Sequence, residues 1–431
     1  MTSQSPHFVG ARPPGPVAVL QLTLHNAVLG HLVQAGQATA LVFDPAWVAS
    51  NHRPAFTLCG THAHPASANL FDRPWLRADG LHPVLANLLP ESGLRAGMAA
   101  LVCVPADDDF ALLAALGADL PGALQVQALA PAAIPPGVLD FNASAVTLAL
   151  PATTAQPVFA LAGSQHKLLL HEDNGAFSVA DRQHPGTWIL KLPSRDLGGL
   201  PQNEYTASRL AQMAGVEVPA LRLLRLGDLP LPPALHTNPD EFGLAIQRFD
   251  RSARGDRIHA EDFAQVLFKT PAEKYSAACA TALGQVVHGY THSALANTQQ
   301  LARRLLVNVL LGNGDAHLKN WSLVYPDKVH AELAPAYDLL CTQTVLPQDR
   351  QQPWAIGGCR DWYSLDFSHF AEWGRAVGVP WRVLRPQLLD TVVRARTLWP
   401  QALEAAPMLE THKLLLRHHW KNLQKKLQYG L

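Results

Sequence analysis

The stretch Gly312, Asn313, Gly314, Asp315, Ala316, His317, Leu318, Lys319, Asn320 follows directly on Leu305 to Leu311, an apolar run of helical character. Glycine enters the left-handed region without steric cost and so ends helices readily. A helix stopped at Gly312 delivers polar groups into a loop. Asp315 and Asn320 stand five positions apart, the separation of a base and a metal-binding amide in a phosphoryl-transfer loop. A carboxylate at the first place can take the proton of an incoming hydroxyl, and an amide at the second offers a neutral oxygen to Mg²⁺. Lys319 between them can neutralise charge on a transferring phosphoryl. The bland alternative is a turn or helix cap made by Asn313 and Asp315.

Downstream, the strand-like runs Trp321 to Tyr325 and Val329 to Leu333 are joined by a turn at Pro326 and Asp327, and Pro335, Ala336, Tyr337, Asp338 follow. Such a hairpin returns Asp338 to the neighbourhood of Asn320 as a second oxygen ligand; alternatively Asp338 caps a following helix. Upstream, Lys191 interrupts the apolar run Trp188 to Leu192, and Glu204 opens the next helix. A strand lysine paired with a helix carboxylate holds nucleotide phosphates in kinases. An edge lysine and an ordinary first-turn glutamate are the simpler readings. The turn Ala162 to Lys167 has one glycine and is not a Walker A sequence, yet its amides could wrap phosphate. In chain order these elements are those of a bilobal kinase.

The rest of the chain is consistent with that order. Its 431 residues, 48% hydrophobic, suffice for two or three packed domains. Lys plus Arg and Asp plus Glu both number 34, so no global field steers the protein to nucleic acid or membrane. Five scattered cysteines without a CxxC pair indicate a reduced, cytoplasmic protein, and no run of about 18 apolar residues suggests a membrane span. The reading is an α+β protein with a bilobal protein-kinase-like fold, strand-rich in its N-lobe and all-helical in its C-lobe, preceded by a small α+β module. The expected divisions are 1–128 for the module, 129–157 for a Pro/Ala-rich connection, 158–250 for the N-lobe and 251–431 for the C-lobe. Within them, a helix is expected at Asp109 to Leu116, capped by the preceding aspartates, and another at Glu204 to Ala214, with a strand at Gly243 to Phe249. A hairpin is expected from Lys167 to His171 and Thr187 to Leu192 around Asp173, Asn174 and Gly175.

These residues resemble the HipA family of serine/threonine kinases over nearly the whole chain. The likeness runs through Asn87 to Arg95, Asp108 to Leu124, Ala162 to Lys167, Ile189 to Pro193, Asn203 to Tyr205, Arg248 to Arg251, His259 to Gln265, Lys274 with Tyr275, Gly312 to Asn320 and Leu333 to Leu340. The resemblance implies a toxin kinase that uses ATP and Mg²⁺ to phosphorylate a protein serine, known members acting on aminoacyl-tRNA synthetases. It also implies a HipB-like DNA-binding antitoxin, with DNA reached only through that partner. Carried over, Asp315 is the base with Lys319 beside it, Asn320 and Asp338 are the metal ligands, and Lys191, paired with Glu204, is the phosphate contact. Gly163, Ser164, Gln165 and Lys167 belong to the phosphate loop, Gln247 and Phe249 to an adenine-contacting hinge, and His317 to the nucleotide side of the loop. Where some relatives have a carboxylate, this chain has Gln247.

One departure bears on regulation. Family members commonly carry a self-phosphorylated serine just before the phosphate loop, where this chain has Phe159, Ala160, Leu161, Ala162. Self-inactivation is therefore expected to be absent or to use another residue, Ser164 being the nearest hydroxyl. His52, Cys59, His62 and His64 lack the paired spacing of structural zinc sites, so no zinc is expected. The last helix, with Leu416, Trp420, Leu423 and Leu427 on one face and Lys413, Arg417, Lys421 and Lys425 on a neighbouring one, is read as an amphipathic helix with a solvated basic side. Two further functions stay open at this point: a kinase-fold corepressor acting with its antitoxin, and a small-molecule kinase.

Overall fold

Along Val17–Leu24 every residue is buried except two half-buried ones, as expected of a central strand covered on both faces. The computed structural model describes residues 17–139 and 166–427, apart from 62–63, 182–183, 185, 195, 233–236, 253, 276–279, 347, 349 and 426. The chain divides into two compact units, the first holding the described residues of Met1–Ser164, Asp256–Ala272 and Tyr325–His330 and the second those of Gln165–Gly255, Glu273–Val324 and Ala331–Leu431. Among the described residues no helix is long and apolar enough to cross a membrane.

In the first unit, β1 (Val17–Leu24), β2 (Ala27–Ala35), β3 (Ala38–Phe43), β4 (Trp75–Arg77) and β5 (Leu124–Ala128) form an antiparallel sheet in the order β4-β3-β2-β1-β5. Against it lie α1 (Ser92–Leu101) and α2 (Asp109–Leu116), the latter capped by the Asp108 carboxylate on the Ala111 N–H at 2.9 Å. Phe43, Trp47, Phe56, Phe71 and Trp75 pack edge-to-face and stacked at centroid separations of 4.7 to 6.4 Å. Glu261 is buried in this unit and accepts hydrogen bonds from Thr57 Oγ1 (2.9 Å), the Leu58 N–H (2.7 Å) and the Tyr325 hydroxyl. Burial pushes its carboxyl up to about 7, against the lowering effect of those donors.

The second unit opens on β6 (Lys167–Asp173), β7 (Ala176–Val179), β8 (Trp188–Lys191), β9 (Leu221–Arg225) and β10 (Phe242–Gln247), antiparallel in the order β7-β6-β8-β10-β9. The turn at Asn174 and Gly175 forms where expected, both residues at positive φ (49° and 87°) as a two-residue hairpin requires. Its return strand, however, is Ala176–Val179, and Trp188–Lys191 pairs with the other edge of β6. Helix α3 (Leu200–Met213) buries Asn203, Glu204, Ala207, Leu210 and Ala211, a helical stripe.

The helical part comprises α4 (Ala280–Tyr290), α5 (Ala294–Leu311), α6 (Phe367–Val377), α7 (Trp381–Ala405) and α8 (Glu410–Asn422). It is not wholly helical: the hairpin β11 (Ser322–Tyr325) and β12 (Glu332–Leu333) pairs Leu323 with Leu333 and Val324 with Glu332, and β13 (Gln351–Ile356) pairs with β14 (Cys359–Asp361). From Leu301 to Leu311 every residue of α5 is buried, so its C-terminal end presents the following loop from a fixed base. Leu416, Trp420, Leu423 and Leu427 are buried, though α8 itself stops at Asn422.

Candidate active site

An apolar central strand carries the first element of the site. Lys191 ends β8, between β6 and β10, and is 5% exposed, which excludes an edge lysine. A buried ammonium is costly unless paired. Its Nζ donates to Glu204 Oε1 at 2.5 Å and to Asp338 Oδ1. Burial alone would depress the ammonium, but Asp338 and Glu204 outweigh it and hold Lys191 above its ordinary value. Burial would likewise raise the Asp338 carboxyl, yet Lys191 and then Lys167 hold it below the usual carboxylate range. Glu204, the deeper of the two acids, is raised by burial despite Lys191. It lies on the fifth residue of α3 and serves the lysine rather than the helix end.

Lys167 sits directly opposite Lys191 in the antiparallel register, so both side chains leave the same face of the sheet. Burial lowers the Lys167 ammonium, Asp338 counteracts this, and Lys191 adds to it. Two lysines and two carboxylates thus share one face, Asp338 being in electrostatic reach of both cations. Asp338 itself has φ of 53°, a left-handed conformation that aspartate tolerates better than most residues and that costs about 1–2 kcal/mol. It caps no helix, since the next helical turn, Thr342–Thr344, begins after Cys341.

The catalytic-loop candidate forms as its glycine suggests. Gly312 ends α5 at φ of 64°, and the Asn313 Oδ1 accepts the Asp315 N–H at 3.1 Å while its Nδ2 donates to Asn308 Oδ1 at 2.8 Å. Asn313 is therefore the turn-maker, and the Asp315 carboxylate is left for other partners. The Asn320 Nδ2 donates to the Asp315 carbonyl at 2.8 Å, which orients the amide so that its Oδ1 is the end presented elsewhere. Asn320 and Asp338 line one pocket with Arg304, Asn308, Asn313 and Tyr337. His317 and Lys319 are both buried, and burial lowers the His317 imidazole, opposed by Asp315 and reinforced by Lys274. At the hinge segment, Gln247 spends its backbone N–H on Ala220 (2.8 Å) and Arg248 on Thr187 (2.8 Å). The Phe249 N–H has no acceptor among the described residues, and its ring lies 5.4 Å from that of Tyr337. Gly163, Ser164 and Gln165 lie outside the described residues.

Sequence reasoning gave no role to the frame around these groups, although Asn203 and Tyr275 stand in stretches that carry the family likeness. The Tyr337 hydroxyl gives its one hydrogen to the Lys319 carbonyl (2.8 Å) and accepts from Ser322 Oγ (2.6 Å). Thr342 Oγ1 donates to the Gly312 carbonyl (3.0 Å) and accepts the Gly314 N–H (2.7 Å). Asn203, buried beside Glu204, donates to Thr344 Oγ1 (2.9 Å) and accepts the Cys341 N–H (2.9 Å), so the helix of Glu204 is tied to the segment that follows Asp338. His419 and Trp420 of α8 meet the last carbonyls of α5, Val309 and Leu310, at 2.8 and 2.9 Å. Tyr275 donates to Asp315 Oδ1 at 2.5 Å.

A family model described as the HipA-like C-terminal domain matches residues 159–399, and one described as the HipA N-terminal domain matches residues 20–127. The chain belongs to the HipA family. Y4dM of Sinorhizobium fredii, which is named as a candidate kinase, is 32% identical over 92% of this HipA-family chain and 96% of its own length. The serine/threonine-protein kinase toxin HipA of Shewanella oneidensis is 26% identical over 74% of this chain and 75% of its own. The Shewanella oneidensis HipA solved with HipB and operator DNA is 21% identical, covers 95% of this chain and 96% of its own, and superposes with a TM-score of 0.67. That likeness shows a shared HipA fold, and the kinase names of the relatives place this HipA chain in a kinase family.

Proposed function

We propose that the chain is a Mg-ATP-dependent serine/threonine protein kinase of the HipA toxin type. The observation that carries the reading is the buried Lys191 held between Glu204 and Asp338, in the same unit as a loop that presents Asp315 and orients Asn320. The donor set suits a hard, oxygen-seeking cation: a carboxylate held ionised in a strained backbone position and an amide whose nitrogen end is already spent. Asn320 and Asp338 would hold Mg²⁺, and Lys191 with Lys167 would hold phosphate oxygens. Mg-ATP, when bound, supplies the phosphoryl group and neutralises its charge.

The rest falls to the protein's own groups. Glu204 keeps Lys191 charged and aimed; Asp315 takes the proton of an acceptor hydroxyl and turns its oxygen toward phosphorus; Lys319 adds positive charge beside it. Phe249 offers a backbone donor at the nucleotide-base end. Residues 1–128 act as an accessory module to lobes at 158–250 and 251–431. The Shewanella toxin kinase and its complex with HipB and operator DNA support a toxin paired with a HipB-like antitoxin, and we read DNA as reached only through that partner and a protein serine as the target, an aminoacyl-tRNA synthetase being the first to assay.

The test is incubation of the purified chain with labelled ATP and cell lysate beside Asp315→Ala. A discrete labelled band lost in the variant is expected. Equal labelling by both forms would overturn the assignment.

A further inference from the structure

Asp315 already has a hydroxyl on it. The Tyr275 phenol donates to its Oδ1 at 2.5 Å, the bond that an acceptor hydroxyl has to make with the same carboxylate before transfer. A phenol is a more acidic and therefore stronger donor than an alkyl hydroxyl, so the two groups compete unequally for one site. We propose that Tyr275 is a guard on Asp315, a tyrosine that occupies the base until an acceptor displaces it and thereby keeps water from serving as acceptor. This inference rests on the reading of Asp315 as the base.

Three observations favour a displaceable guard over a fixed support. Tyr275 is 52% exposed, so withdrawing its ring opens no cavity in a packed core. Its backbone is anchored next door, because the Lys274 carbonyl accepts the Leu318 N–H at 3.1 Å; the side chain can therefore swing about a pivot fastened to the loop it covers. The ring meets His317 edge-on, at 5.0 Å and 83°, and the Lys274 ammonium lies 5.6 Å from its centroid. Contacts of these kinds at an exposed ring are individually weak. The hydrogen bond to the Asp315 carboxylate is the contact that an acceptor replaces in kind.

The experiment uses the full chain in two arms. Without nucleotide, the rate of Tyr275 O-acetylation by N-acetylimidazole, followed by peptide mass, is compared in wild type, Asp315→Ala and Asp315→Ser. Both variants should acetylate Tyr275 about tenfold faster, as expected for release of one charge-assisted hydrogen bond; unchanged rates in both overturn the proposal. With Mg-ATP and no protein acceptor, Tyr275→Phe should release ADP to water about tenfold faster than wild type. ADP release that Tyr275→Phe leaves unchanged or lowers overturns the guard alone, as does a phosphate found on Tyr275, which would make it an acceptor. No ADP release by either wild type or Tyr275→Phe overturns the guard alone, because the kinase reading is decided separately by protein labelling beside Asp315→Ala.

Discussion

Replacing Lys191 by Met removes the one cation that sits between Glu204 and Asp338 while keeping a side chain of similar length. The lysine makes two charge-assisted hydrogen bonds from a strand position 5% exposed. Each such bond contributes about 1.5–3 kcal/mol, and removing one partner of a buried ionic group costs about 3–5 kcal/mol because the remaining charges are left uncompensated. Lys167 stands opposite on the same face and offsets part of this, which places the expected loss near 4 kcal/mol. In urea, with a slope of about 3 kcal/mol per molar, the midpoint should fall by about 1.3 M, read by tryptophan fluorescence. The loss has a sign in pH. Asp338 is held below its ordinary range and Lys191 above it, so in the wild type their contribution is complete between about pH 4 and pH 10. In Lys191→Met the Glu204 carboxyl, already raised by burial, loses the lysine that lowers it. Protonation of Glu204 then relieves the variant as pH falls, so the deficit should be larger at pH 8 than at pH 5. A midpoint shift below about 0.3 M, or an equal deficit at both pH values, would refute the view that this lysine neutralises a buried acidic pair.

Thr342→Val removes the hydroxyl that binds both Gly312 and Gly314 and should lower phosphotransfer turnover about tenfold, while Thr342→Ser restores it; turnover equal to wild type in the valine variant would show that the loop holds its place without this tie. Glu261, pushed up to about 7 from 4.5, is protonated in both folded and unfolded states below pH 4.5, so its burial costs stability as pH rises toward 7, by about 3 kcal/mol in all. Wild-type melting temperature should accordingly fall from pH 5 to pH 8 more than that of Glu261→Gln, and parallel pH profiles would contradict this. Gly312→Ala places a Cβ at φ of 64°, 3.0 Å from the Gln343 Cβ and 3.3 Å from the His419 ring, and should cost about 1–2 kcal/mol, seen as a lowered melting temperature.

What could be read from the sequence was whatever broke a local pattern. Lys191 stood out because a charge interrupts an apolar strand, and the same burial that made it conspicuous is what demands Glu204 and Asp338 as partners. Gly312 showed where α5 ends, since the left-handed residue that stops a helix is a local requirement. The hairpin after β6 was half legible: Asn174 and Gly175 fixed the turn, but the return strand Ala176–Val179 is a sheet edge, exposed and half-buried along its length. The more apolar Trp188–Lys191, which is central, drew the pairing instead. Hydrophobic pattern reports burial, not adjacency.

The frame that holds the site was not legible because its members are ordinary where they stand in the chain. Thr342 reaches Gly312 across 30 residues, Asn203 reaches Cys341 across 138, and His419 reaches Val309 across 110; Thr342 and His419 carry no local signature, Asn203 lies in a stretch that carries the family likeness but shows no role there, and each acquires its role only when packing brings a backbone group within reach. Glu261, within the likeness stretch His259 to Gln265, likewise shows its role only by reaching Leu58 across 203 residues. Tyr275 differs in kind. With Lys274 it carries part of the family likeness, but the likeness gives it no role, and its significance here lies in one bond to Asp315. The residues that announce themselves in this sequence are Lys191, whose charge conflicts with its apolar strand, and Asp315, which stands five positions before Asn320 after a helix-ending glycine. Those that fix the geometry of the conflict, Thr342, Asn203 and His419, satisfy local rules completely, so that only the folded chain distinguishes them from any other threonine, asparagine or histidine.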